Sequence, residues 1–221
     1  MACIVITGAN RGIGLALAGA YAARGDRVIA ACRSSSSDLD GLGVEVHDRV
    51  EVSDDASVQR FANSLAERPV DVLINNAGIH SAETLDDLNW DRIRRLFEVN
   101  ALGPLRVTRA LLPHLREGAK VVIVTSRSGS IGDNGSGGTY GYRMSKAAVN
   151  MAGVDLAIDL KPRGVAVLLL HPGMVRTDMG GRNPAAVEPD AAAGRMIARI
   201  DEMTLEASGK FLHCEGYELP W

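Results

Sequence analysis

Residues 139–146 read TYGYRMSK, a stretch with two tyrosines two positions apart and a single lysine. An unperturbed phenol titrates at about pH 10, so it exchanges protons with a substrate efficiently only when its surroundings tune it. A cation held nearby favours the ionised form and lowers that value. Lys146 lies four residues after Tyr142, and on a helix that spacing puts both side chains on one face, a turn apart. Four residues beyond Tyr140 lies Met144, which offers no charge. The spacing therefore assigns proton chemistry to Tyr142 with Lys146 beside it, and leaves Tyr140 as a wall or cover of a cleft.

A second group of residues suits phosphate. After the apolar run CIVIT comes Gly8-Ala-Asn10-Arg11-Gly12-Ile13-Gly14, followed by an Ala/Leu-rich segment. A glycine-rich turn between a strand and a helix amino terminus presents free backbone N–H groups and the positive end of the helix dipole, which favour a pyrophosphate. The GxxxGxG spacing is a variant of the dinucleotide fingerprint. A purely structural glycine connection would look the same in isolation; the position directly after the first strand favours the cofactor reading. At the end of the second apolar run stands Arg33, where an acid would accept a ribose 2′-hydroxyl and an arginine accommodates a 2′-phosphate. Arg33, with Arg11 flanking it, favours NADPH/NADP over NAD; the alternative is that both are solvated surface charges.

These residues need a scaffold that brings strand ends together. Seven short runs rich in β-branched residues recur along the chain: CIVIT, RVIAAC, VEVHDRVEV, VDVLIN, KVVIVTS, VAVLLLHP and KFLHC. Most are continuously apolar, as expected of parallel strands buried on both faces. Helical segments separate them at about 13–24, 55–67, 85–117 with an interruption at Gly103-Pro104, 142–161 and 188–205. The alternation predicts an α/β fold, a doubly wound, Rossmann-type, seven-stranded parallel sheet flanked by helices. With 221 residues, 46% of them hydrophobic, the chain suits a single domain over 1–221.

The formal net charge of −3 provides no basic field to attract nucleic acid or an anionic membrane. No segment approaches the ~18 consecutive apolar residues of a membrane span, and the first residues lack a signal-peptide pattern, so a soluble, cytoplasmic protein is expected. Cys3, Cys32 and Cys214 have no CxxC spacing and read as small buried residues. The five histidines are scattered without ligand spacing, so no metal site is expected. His80 fits either the edge of a substrate cleft or a surface loop. The run Asp91-Arg-Ile-Arg-Arg95 reads as a solvated helix face with intrahelical ion pairs.

Taken together, TGANRGIG, NNAG at 75–78, Asn100 in FEVNALGP, Ser126 in VVIVTSRSG, Tyr142-Arg-Met-Ser-Lys146 and HPGMVRT at 171–177 resemble the short-chain dehydrogenase/reductase family over essentially the whole chain. SRSGSIGDNGSGGTYGYRMSK at 126–146 and GYELPW at 216–221 look like its C-factor and sniffer-type carbonyl reductase branch. The resemblance implies that Tyr142 is the general acid in carbonyl reduction and general base in alcohol oxidation, while Lys146 also holds the nicotinamide ribose. It gives Ser126 the task of orienting the substrate oxygen, with neighbouring Ser128 as the other candidate. Asn100 would hold a water that relays protons to the lysine. It further implies cofactor contacts at Asn76, Ala77 and Gly78, at Glu51 and Val52 near the adenine, and at Pro172, Gly173, Val175 and Thr177 near the nicotinamide. Glutamate at 51 replaces the family's aspartate, which weakens any side-chain contact there.

The function expected from this set is NADPH-dependent reduction of a small aldehyde, ketone or quinone, under a substrate lid at about 174–190. The intact catalytic set weighs against the alternative, a dinucleotide-sensing signalling protein on the same fold. Relatives pair through the helices placed here at 85–117 and 142–161, so a homodimer or homotetramer is the assembly the resemblance implies.

Overall fold

The computed structural model describes residues 1–179 and 184–221. Seven parallel strands form one sheet in the order β3-β2-β1-β4-β5-β6-β7, with β1 Cys3–Thr7, β2 Arg27–Ala31, β3 Glu45–His47, β4 Val70–Asn75, β5 Leu115–Val124, β6 Ala166–His171 and β7 Phe211–His213. The order reverses between β1 and β4, which opens a crevice at their carboxyl ends where such sheets take ligands.

The continuously apolar strands serve two cores because successive side chains point to opposite faces. In β1, Ile4 and Ile6 join the layer under α1 (Gly12–Ala23) and α7 (Pro189–Glu202), while Val5 joins the layer under α3 (Asp55–Ser64), α5 (Gly103–Leu111) and α6 (Tyr140–Leu160). Leu17 and Tyr21 of α1 fill the first layer; Phe61, Val107 and Val149 fill the second. All five are buried, and each such side chain contributes about 1.5–3 kcal/mol of burial free energy.

Several element boundaries differ from the sequence reading. The predicted helix over 85–117 begins instead at Trp90, where the Asn89 side chain accepts from the Arg92 N–H and caps it. It is not interrupted at Gly103-Pro104. α4 (Trp90–Phe97) passes through a π turn, Glu98–Leu102, directly into α5, and Pro104 falls in that element's first turn. A missing N–H is tolerated at such a position. Residues 115–117 belong to β5, whose first half, LREGAK, is too polar to read as a strand. The run VEVHDRVEV yields only the three-residue β3, after which the chain turns through Arg49 at positive φ. SSSS at 34–37 opens the short helix α2 (Ser37–Asp40), capped by Ser36, whose hydroxyl also donates to the Asn10 carbonyl at 2.7 Å and so ties this loop to the glycine turn. No helix among the described residues is long and apolar enough to cross a membrane.

Candidate active site

The glycine turn is locked to the end of β4. Thr7 Oγ1 accepts from the Asn76 and Ala77 N–H groups, each at 3.1 Å, and Asn76 Nδ2 donates to the Thr7 and Gly8 carbonyls at 3.0 and 3.1 Å. Gly8 has φ +66°, and a Cβ there would lie 2.9 Å from Ala77 Cα. Gly12 also has positive φ, and its missing Cβ leaves a space bounded by Thr177 Cγ2 at 3.2 Å. No side chain caps α1, whose N-cap residue is Arg11. Its first N–H groups therefore face the crevice, a fit for the pyrophosphate of a dinucleotide.

At the adenosine end each of the two arginines has an acidic partner. Arg11 pairs with Asp178 at 3.1 Å, and Arg33 stands 3.8 Å from Glu51. Arg95 also reaches Glu51, at 3.2 Å, so the Asp91–Arg95 run is only partly intrahelical; Arg94 pairs with Asp91 at 2.8 Å as expected. Glu51 is thus committed to ion pairs and to the Ser53 hydroxyl. Burial pushes its carboxyl up, but Ser53, Arg95 and Arg33 outweigh that and hold it below the usual range. Val52 is buried against the start of α5, where a Cβ on Gly103 would touch it at 3.1 Å.

Tyr142, Lys146, Ser126 and Asn100 converge from three elements. α6 starts at Tyr140, two residues earlier than the sequence suggests, so Tyr142 lies within its first turn. Ser126 is the serine that acts on the Tyr142 phenol, easing its ionisation; the Ser128 N–H donates to Ser126 Oγ at 3.1 Å and fixes that hydroxyl. Lys146 is buried, with Nζ donating to the Val124 carbonyl at 2.9 Å and lying 5.9 Å from the Tyr142 ring centroid. A Cβ on Gly78 would sit 3.4 Å from Asn100 Oδ1 and 3.9 Å from Lys146 Nζ. Gly129 packs so closely on the Lys146 backbone that a Cβ there would lie 2.7 Å from its carbonyl carbon.

The electrostatics correct one expectation. The Tyr142 phenol is not lowered by Lys146: burial raises its pKa, and the Ser126 hydrogen bond offsets only part of that. The ammonium is turned onto Val124, and burial brings Lys146 itself down to about 8. In the unfolded chain that lysine keeps its proton to about 10.4. Between the two values folding releases a proton, so the Lys146 contribution to stability improves as pH rises from about 8 towards 10. Urea unfolding of the cofactor-free protein should show this rise relative to a Lys146→Met variant; parallel pH profiles for the two would refute the buried, depressed ammonium.

Asn100 sits in the π turn, and its amide is consumed by protein. Oδ1 accepts from the Ile79 N–H at 2.8 Å, while Nδ2 donates to the Ile79 carbonyl at 2.9 Å and to Ser145 Oγ at 3.0 Å. Both amide hydrogens are used, so the side chain clamps the segment after NNAG and none is left to donate to a relay water. His80, next along that segment, is partly solvent-exposed and lies against Tyr142 with ring centroids 4.6 Å apart, which places it at the cleft.

Two residues went unremarked in the sequence. Ser145 donates to the Tyr142 carbonyl at 2.8 Å while accepting from Asn100. Glu83, buried, accepts from the Gly141 N–H at 3.3 Å, and its carbonyl accepts from the Thr139 N–H at 2.8 Å. Glu83 thereby anchors the start of α6, which Thr139, at φ 45°, does not cap. No motif or period marks either residue.

On the other side of the crevice Gly173 has φ +81° and Val175 is buried in a bridge with Val187. Arg176 pairs with Glu188 at 2.8 Å. The expected lid thus has two described flanks, and its middle, 180–183, lies outside the described residues.

The chain is 45% identical to 1-hydroxy-2-glutathionyl-2-methyl-3-butene dehydrogenase of Rhodococcus sp. (strain AD45), over 100% of both chains. It is 49% identical to the C-signal of Myxococcus xanthus, over 74% of this chain and 100% of that protein. The NADPH-bound carbonyl reductase from chicken fatty liver superposes with a TM-score of 0.92 at 31% identity, covering 99% of this chain and 98% of the other. The carbonyl reductase Sniffer of D. melanogaster does so at 0.91 and 27%, over 100% of each. The model of the short chain dehydrogenase family matches residues 2–188, which span the glycine turn, the NNAG segment, Ser126 and the Tyr142–Lys146 pair, and this chain is an oxidoreductase of that family.

Proposed function

We propose that the chain is an NADPH-dependent carbonyl reductase in which Tyr142 is the proton donor. The observation that carries this is the Tyr142 phenol in the first turn of α6, with Ser126 acting on its hydroxyl and Lys146 Nζ 5.9 Å from its ring centroid. Reduction of a carbonyl places negative charge on its oxygen, and hydroxyl donors already aimed at that oxygen stabilise it without rearranging. When bound, NADPH would supply the hydride. Ser126 would hold the substrate oxygen and Tyr142 would transfer its proton to it. With its pKa raised by burial, the Tyr142 phenol stands at neutral pH in the protonated form that reduction requires.

For the cofactor, support comes from Arg33 at the end of β2 and from neighbours such as the NADPH-bound chicken carbonyl reductase. Glu51 holds Arg33 on one side only, and side-chain exposure of 60% leaves the guanidinium able to meet a 2′-phosphate. A charge-assisted bond of this kind is worth ~1.5–3 kcal/mol. Arg33→Ala should therefore weaken NADPH binding by about tenfold or more and leave NADH within about twofold. Fluorescence titration of both nucleotides measures this, and an equal loss for the two would remove Arg33 from the 2′-phosphate site.

The function itself is tested with NADPH and NADH against aldehydes, ketones and quinones, and with NADP against alcohols, including a glutathionyl alcohol of the kind named for the Rhodococcus relative. Cofactor binding with turnover of none of these would sink the reductase reading. The second reading, a dinucleotide-sensing regulator, draws on the C-signal match; it requires the biological effect to survive loss of the Tyr142 hydroxyl.

A further inference from the structure

The turn that leaves β6, Pro172-Gly173, lies between the serine end of the site and the glycine turn. On one side the Thr125 N–H, next to Ser126, donates to the Leu170 carbonyl at 3.0 Å, two residues before Pro172. On the other side the chain beyond Gly173 brings Thr177 back to the glycine turn, where its Cγ2 lies 3.2 Å from the place of a Gly12 Cβ. A dinucleotide with its pyrophosphate at the α1 amino terminus and its nicotinamide end at Tyr142 would therefore lie across Pro172-Gly173.

The contacts that hold this turn come from the end of β7. His213 is the register partner of His171, and the Cys214 N–H donates to the His171 carbonyl at 2.9 Å, so the pairing runs one residue past the strand. That register sets His213 and Cys214, both buried, against the turn. The Cys214 thiol donates to the Pro172 carbonyl at 3.1 Å. A Cβ on Gly173 would lie 3.4 Å from His213 Nε2 and 3.6 Å from Cys214 Sγ, so the turn rests on both side chains and, at φ +81°, depends on glycine.

The thiol has two acceptors within reach, and the histidine decides between them. Cys214 Sγ also lies 3.8 Å from His213 Nδ1, but that nitrogen accepts from the Glu215 N–H at 3.1 Å. Burial outweighs the nearby Glu215 carboxylate and holds the imidazole below its ordinary value of about 6.5. At neutral pH the ring is uncharged, with its proton on Nε2 and its Nδ1 lone pair taken. Burial also raises the Cys214 pKa, which keeps the proton on sulfur. That proton is left for Pro172. The ring itself is fixed in place: Tyr217 stacks on it with centroids 4.6 Å apart and planes at 9°, and His171 meets it edge-on at 5.1 Å.

We propose that Cys214 and His213 are positioning residues for the nicotinamide end of the cofactor, acting through the Pro172-Gly173 turn and leaving the adenosine end unaffected. This rests on the reading of the crevice as a dinucleotide site.

The test compares NADPH with 2′,5′-ADP, which carries the adenosine 2′-phosphate and lacks the nicotinamide half. Cys214→Ala and His213→Ala should each weaken NADPH binding about three- to tenfold, the range one hydrogen bond supplies, and leave 2′,5′-ADP within about twofold. The unchanged 2′,5′-ADP affinity also reports that the variants are folded. Cys214→Ser keeps a donor at that position and should bind NADPH within about twofold of wild type. Isothermal titration calorimetry measures every one of these affinities without turnover. Equal losses of both ligands, no loss of either, or a serine variant as weak as the alanine one would overturn the assignment while the dinucleotide reading stands. Wild-type protein that binds neither ligand would overturn that reading, and the positioning role with it.

Discussion

Replacing Tyr142 with phenylalanine should lower carbonyl reduction by about 10²–10⁴-fold, the range a positioned general acid supplies, while cofactor affinity stays within a few-fold. The substitution removes one oxygen and little else. The ring keeps its place against His80, 4.6 Å away, and the backbone carbonyl of residue 142 still accepts from Ser145. Lys146 stays on Val124, since its hydrogen bond there does not involve the phenol. What disappears is the proton and one of the two hydroxyls near the substrate oxygen. Each factor of ten corresponds to about 1.4 kcal/mol of barrier, so the expected loss is roughly 3–5 kcal/mol, more than a change in packing would produce. Wild-type activity should also fall as pH rises into the range where the Tyr142 phenol ionises, above its ordinary value of about 10. Steady-state kinetics with a parallel NADPH titration check both points. A variant retaining a third or more of wild-type turnover would mean that another group donates the proton.

The parts of this site that were legible in the sequence are those set by local spacing. Tyr142 and Lys146 share a face because they are four apart on one helix, and the Gly8–Gly14 turn is encoded within seven consecutive residues. The sheet was legible because its strands are buried on both faces and therefore continuously apolar. What was not legible depends on chain segments far apart. The direction of the Tyr142 shift follows from burial, and Lys146 Nζ is held by the Val124 carbonyl, 22 residues away. Arg95 reaches Glu51 across 44 residues, which no helix-face argument anticipates. Glu83 caps a helix 57 residues on from a position with no helical pattern around it, and so is invisible until the fold brings them together. The π turn escaped notice for a different reason. Gly103-Pro104 has the composition of a helix break, and only the wider turn before it lets the helix continue and swing Asn100 onto Ile79.

The glycine turn yields the second large effect. Gly14→Ala places a methyl group on the face of α1 that meets the turn itself, against the Gly8 carbonyl oxygen and 2.5 Å from Asn76 Nδ2. Two opposing terms decide the outcome. Alanine is the better helix former by about 1 kcal/mol, which would stabilise α1. Against that, the obstructing Gly8 carbonyl is backbone and cannot rotate away, and overpacking of this kind costs ~1–3 kcal/mol. The clash should win, because relieving it means moving the Asn76 amide, which ties the Thr7 and Gly8 carbonyls to the end of β4. Moving that amide opens the N–H cradle that the pyrophosphate would occupy, so affinity for NADPH should fall at least about tenfold together with stability. Gly19→Ala on the same helix isolates the two terms, since a Cβ there meets only Leu42 Cδ2 at 3.6 Å, an ordinary contact. That variant should gain up to about 1 kcal/mol and bind the cofactor as wild type does. Urea unfolding and nucleotide titration of the pair give the answer: wild-type NADPH affinity in Gly14→Ala would show that phosphate binding does not depend on the close approach of α1 to this turn.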